Sequence, residues 1–373
     1  MSHFSVLVIG DNVEEQLAPF HQFECTGQDD EYVKDVDDTE EMREEFNTHI
    51  TTRYKDPDGN LHDPFQDQFY RELTQEEKDT HNPMGTGWGS GLSWTSKDWE
   101  DGLGYRSKIH FVPEGWIEVQ VLEKEVSVFA KFIEYWSGHE VVPFGKEPDL
   151  ADTHKYGYIL VDKQGEVVKS VNRTNPNYHW DWYSVGGRWG GFFKLKTGAE
   201  GEIGTPGVFG RMRDDIGYAD QCLKGDVDTK SMAAEAKKEA EEAYDEAMEA
   251  TKGIEPPTWK SWEELEKSMM GKDIDAIREA YWEHPFIKAL KVVDNWGPDQ
   301  YLVSRETYVS KAVTSAFSTF AILKDGKWYE RGEMGWFGCV SDKKTPQDWN
   351  ELFNNIWESI PDTTLLTVVD CHI

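Results

Sequence analysis

Two runs of β-branched and aliphatic residues, one at each end of the chain, constrain this fold more than anything between them. His3-Phe-Ser-Val-Leu-Val-Ile9 is stopped by Gly10 and Asp11, and Leu365-Leu-Thr-Val-Val-Asp-Cys-His-Ile373 closes the sequence. Neither run alternates strictly between polar and apolar residues, so each reads as a strand buried on both faces. Such strands are satisfied by pairing with one another in a central sheet, and chain ends often lie close together. Strand signals outnumber βαβ patterns along the rest of the chain. The expected fold is therefore α+β, with a mixed or antiparallel central sheet that contains both terminal strands.

Between the ends, residues 108–113 and 116–123 read as strands, and 126–136 as either helix or strand. Residues 156–171 read as a hairpin turning at Lys163-Gln164-Gly165. Ala236, Ala240, Ala243, Ala247 and Ala250 recur at helical spacing inside an acidic and basic stretch from Asp226 to Lys252, with Gly253 as its stop. Ser261 and Glu264 have the spacing of a capping box, and a short helix follows over 272–283. These helices predict an insertion at 226–297 within an α+β domain built from 1–225 and 298–373. Residues 315–323 read as a strand leading into a Lys324–Lys327 turn, and 346–360 as a helix with Trp349, Leu352, Phe353, Ile356 and Trp357 on one face.

Composition narrows the function. The 373 residues carry 71 Asp and Glu against 39 Lys and Arg, a formal charge of −32. That charge opposes non-specific binding to nucleic acid or anionic membranes and favours basic partners or cations. No window reaches the roughly 20 apolar residues of a membrane span. Cys25, Cys222, Cys339 and Cys371 are scattered, and the first ten residues have no basic leader, so a reduced cytoplasmic setting is expected. Asp-Pro-Asp-Gly-Asn at 56–60 has its glycine fourth rather than sixth, which is turn chemistry rather than an EF-hand. Gly85, Gly87, Gly89 and Gly91 beside Trp88, Trp94 and Trp99 lack phosphate-loop spacing and read as a loop pinned by its aromatics.

Three constellations stand out. On a strand, Asp370 and His372 share one face while Cys371 points to the other, and a paired first strand would bring His3 to them. With Glu24 this set would suit a zinc or iron ion, the divalent-metal reading beside that of an ordinary polar strand end; no other cofactor is expected. Cys371 lacks a base on its own face. The second constellation is a pocket built from Trp182, Arg188, Trp189, Trp328, Glu330 and Arg331, suited to a nucleotide-like anion. The third is the acidic stretch 29–45, read as a loop leading into a helix. There Asp35, Asp37, Asp38, Glu40 and Glu41 offer a surface to a basic protein.

The opening SHFSVLVIG, the block Trp182-Tyr-Ser-Val-Gly-Gly-Arg-Trp189, GKWYERGEMGWFG at 326–338 and the closing DCHI resemble a family of uncharacterised bacteriophage and prophage proteins. The resemblance carries no catalytic residues. It implies a non-structural accessory protein in the cytoplasm of an infected bacterium. Two functions are then expected: binding and inhibition of a basic host factor such as a nucleic-acid-binding defence enzyme, or catalysis or small-ligand binding in the aromatic and arginine pocket.

Overall fold

A computed structural model of the chain describes residues 2–72, 92–93, 108–206, 217–295, 297–335 and 340–373. Apart from Leu92–Ser93, the glycine and tryptophan loop over 85–99 and the end of the 326–338 block lie outside the described residues. The chain separates into two compact units, Met1–Tyr32 with Asn175–Ile373, and Val33–Thr174. This differs from the expected division at 225 and 297. The segment set apart is the inserted 33–174, whose edges carry no change in composition.

In the first unit the terminal strands do pair. His3–Ile9 lies antiparallel to Leu365–His372, registered from His3 opposite His372 to Ile9 opposite Leu366. On its other edge the first strand runs parallel to Ala321–Lys324, which returns as Lys327–Glu330. The two turn residues, Asp325 and Gly326, both have positive φ (52° and 70°), the tight hairpin geometry that follows sheet twist. The far edge of the last strand takes Trp182–Gly187 and then Gln221–Leu223. The sheet is mixed, and the fold is α+β.

Both faces of the first strand are covered, which explains its unbroken apolar run. Leu7 and Ile9 join a core with Phe193, Leu366, Val368 and the helix Pro346–Ser359, through Trp349, Phe353 and Trp357. That helix starts where Thr345 Oγ1 accepts the Asp348 N–H at 3.1 Å and proline occupies its first turn. Phe4, Val6 and Val8 face a second core with Leu17, Phe20, Trp180, Leu323, Val369 and Cys371. Burying a side chain such as Leu7 or Val8 contributes about 1.5 to 3 kcal/mol.

The alanine-striped helix spans Thr229–Ala250, capped by Asp228 on the Ser231 N–H. Its stripe faces this chain: Ala240 and Ala247 are buried, and Ala247 joins a core with Leu265, Ile277, Tyr281, Phe286 and Tyr301. The helical region runs past 297. The helix Arg305–Thr314 follows and ties back through Arg305 to Asp245 and Glu241. The strand expected over 315–323 is consequently short, beginning only at Ala321.

The second unit holds a sheet in the order Lys34–Asp37, Val167–Thr174, Gly157–Val161, Glu140–Val142, with helices Thr39–Thr48 and Phe129–Ser137. Residues 34–37 thus form an edge strand rather than part of a loop, paired from Asp37 opposite Val171. Asp56 closes the 56–60 turn by accepting from the Asn60 backbone and side chain, which leaves it serving a hairpin.

Gly186 and Gly187 sit in the left-handed region at φ 77° and 54°. A Cβ on Gly187 would lie 2.4 Å from Asp370 Cβ, and one on Gly186 would lie 2.3 Å from Asp220 Oδ2. Gly198 has φ 85° but open space around it. Gly198→Ala should therefore cost only the backbone penalty, about 1 kcal/mol. Gly187→Ala should cost about 3 kcal/mol, strain and clash together. Urea unfolding of the two variants measures the difference, and equal losses would mean that Asp370 yields freely.

Candidate functional site

Strand register builds the site. His372 lies opposite His3 on one side and opposite Trp182 on the other, so the three side chains form one row across three strands. The next row on that face is Ser5, Asp370 and Ser184. The row of rings is in contact. His3 and His372 meet edge-on at 4.9 Å, and Trp182 stacks on His372 at 5.1 Å with 17° between planes.

Each imidazole is held by its own carboxylate. His3 Nδ1 lies 2.8 Å from Asp370 Oδ1, and His372 Nδ1 lies 2.6 Å from Asp181 Oδ1. An ionised carboxylate only accepts, so each Nδ1 carries the proton and donates it. That leaves Nε2 of each ring as a basic lone pair. Side-chain exposure is 10% for His3 and 7% for His372, against 1% for Asp370 and 16% for Asp181. The rings are firmly seated without being sealed.

The second oxygen of Asp370 accepts the backbone N–H of Arg188 at 2.9 Å. A second buried carboxylate, Asp220, fixes the rest of that loop. Its Oδ1 accepts the N–H groups of Gly191 (2.6 Å) and Phe192 (3.2 Å), and its Oδ2 accepts that of Gly204 (2.8 Å). Gly186 and Gly187 pass between the two acids, where side chains have no room.

The structure brings His3, Asp370 and His372 together as their strand positions imply. Glu24 sits exposed on the short helix Phe23–Thr26. Among the described residues, no group of three or more His, Cys, Asp or Glu is arranged to hold a metal ion. In the cluster itself each Nδ1 is already committed to an aspartate. Cys371 is fully buried on the opposite face, and burial, then Asp370 and Asp181, pushes its thiol well up. It is no ready nucleophile.

The six-residue pocket is not assembled. Trp182, Arg188 and Trp189 belong to the histidine face and its loop. Trp328 and Glu330 project from the other face, because Trp328 follows Val8 and Leu323 in register and Glu330 follows Val6 and Ala321. Trp328 stacks on His179 at 4.4 Å and touches Phe4 and Phe20. Glu330 accepts from Trp328 Nε1 and pairs with Lys343. Arg331 accepts, through its backbone oxygen, from the N–H groups of Lys343 and Lys344.

The acidic residues divide by role. Asp35 accepts from Tyr158 and Arg173, and Asp37 accepts from the Thr39 N–H and hydroxyl, which lowers its pKa. Asp38 is the cap position of the Thr39–Thr48 helix, and Glu40 and Glu41 stand exposed in its first turn. Asp181, Asp220 and His179 are anchoring residues that spacing alone does not single out. The one sequence signal was that Asp181 sits next to Trp182.

No family model, no curated protein and no solved structure matches the chain. Asp220→Asn leaves at least one of the three N–H donors facing an amide. It should lower unfolding free energy by about 3 kcal/mol in urea titration. A change below about 0.5 kcal/mol would show that the 188–204 loop is held by something else.

Proposed function

We propose that this chain is an enzyme that uses His3 and His372 as an acid/base pair on an anionic ester. The observation that carries the proposal is the meeting of two aspartate-held imidazoles across paired strands. Neutral Nε2 of one ring takes the proton of an attacking water or hydroxyl. The other ring, protonated, returns a proton to the leaving oxygen, so the pair ends with its charges exchanged. Asp370 and Asp181 stabilise whichever ring is cationic and keep both in the useful tautomer. Arg188, exposed beside Asp370, supplies positive charge for an anionic substrate in a protein whose overall charge would repel one. The likeness to phage proteins supports a role inside an infected bacterium.

The test is turnover of nitrophenyl phosphate mono- and diesters. His3→Gln and His372→Gln should each lose about 10²- to 10⁴-fold in rate. Both variants should remain folded, with a lower melting temperature for His3→Gln, which withdraws a donor from buried Asp370. Unchanged rates in both variants would end the acid/base reading.

A second reading, inhibition of a basic host factor, draws on the second unit. Glu40, Glu41, Glu44 and Glu45 are exposed along one helix beside an edge strand. Because Asp35 and Asp37 hold local structure, the informative variant changes the four glutamates to glutamine. Capture of a bacterial protein by the parent, lost in this variant and at high salt, supports inhibition. Capture unaffected by the variant removes the acidic helix from the argument.

A further inference from the structure

The loop that Asp370 and Asp220 pin down also walls a cleft of ≈430 Å³, lined by Arg188, Trp189, Phe192, Tyr218, Glu235 and Glu239 among others. That volume falls in the range of small-ligand sites. We infer that this cleft binds a nucleoside monophosphate, with the phosphate on Arg188, the base against Trp189 and Phe192, and ribose hydroxyls on the glutamates. The inference goes beyond the acid/base reading, because neither His3 nor His372 lines the cleft.

The chemistry of the lining selects this class. A guanidinium matches phosphate oxygens in a fork. Trp189 and Phe192 are only half-buried, packed on the core from one side, and offer ring surface to a flat partner. Carboxylates accept hydrogen bonds from sugar hydroxyls. Glu235 is oriented by Lys194 and by the Tyr218 hydroxyl, whereas Glu239 makes no hydrogen bond or ion pair among the described residues. Charge is thereby divided: cation toward the loop, anions toward the helix Thr229–Ala250.

The connection to the histidines is a single carboxylate. Asp370 receives the His3 ring on one oxygen and the Arg188 peptide on the other. The backbone at Arg188 therefore shares its anchor with His3, although neither His3 nor His372 lines the cleft itself. The backbone N–H groups of Gly191 and Phe192 are turned inward to Asp220, which holds the wall still before any ligand arrives.

Calorimetry with adenosine 5′-monophosphate, adenosine and inorganic phosphate tests this on the full chain. The nucleotide should bind more tightly than either half. Arg188→Gln should weaken nucleotide and phosphate at least tenfold and leave adenosine unchanged. Glu239→Gln should weaken nucleotide and adenosine and leave phosphate unchanged. No nucleotide binding at millimolar concentration, or equal binding by parent and both variants, overturns the inference. His3→Gln and His372→Gln separate it from the acid/base reading, since both should keep nucleotide affinity. Nucleotide binding with full ester turnover in those two variants would leave the cleft standing and the acid/base pair refuted.

Discussion

The antiparallel pairing of the first and last strands carries a buried carboxylate at its polar end, and much of the first unit depends on that group being satisfied. Asp370 is 1% exposed. An ionised carboxylate so placed would cost several kcal/mol without partners. Its partners come from two other segments: the His3 ring from the first strand and the Arg188 N–H from the loop after Trp182–Gly187. Separating the strands would strand the charge and release the loop together. Stability and site geometry are therefore one problem here, solved by closing the chain ends on each other.

Asp220 repeats the device one step along the same edge. Together the two acids explain the paired glycines of the Trp182–Trp189 block by proximity. The backbone turns its N–H groups toward protein carboxylates at Arg188, Gly191 and Phe192. What remains for a ligand is the side-chain surface of the loop. The proposed ligand binding therefore rests on the side chains of Arg188, Trp189 and Phe192.

Much of this was legible in the sequence where local rules decide. Alternation along Leu365–His372 separates Asp370 and His372 from Cys371, and pairing of the ends then adds His3. Periodicity located the alanine-striped helix, the hairpin after Gly157 and the tryptophan face of the last helix. Long-range partners were not legible. Asp181 and Asp220 acquire their roles only when distant segments meet them. Trp328 and Glu330 look like companions of Trp182 until register assigns them to the opposite face. The inserted unit 33–174 begins and ends without a glycine or charge boundary between Tyr32 and Val33 or between Thr174 and Asn175. Its presence follows from contacts, which composition does not encode.

The acid/base account turns on one microscopic feature, that both rings donate through Nδ1 to their aspartates and so present Nε2 as the atom that takes up or releases a proton. Each aspartate lies against Nδ1, and the two rings have no other hydrogen-bond partner among the described residues. Nitrogen-15 NMR of the histidine side chains, read on the neutral form of each ring, gives the tautomer directly. The account predicts the Nδ1–H form for both His3 and His372. An Nε2–H form in either ring would contradict it, because that ring would then have no lone pair directed at a substrate.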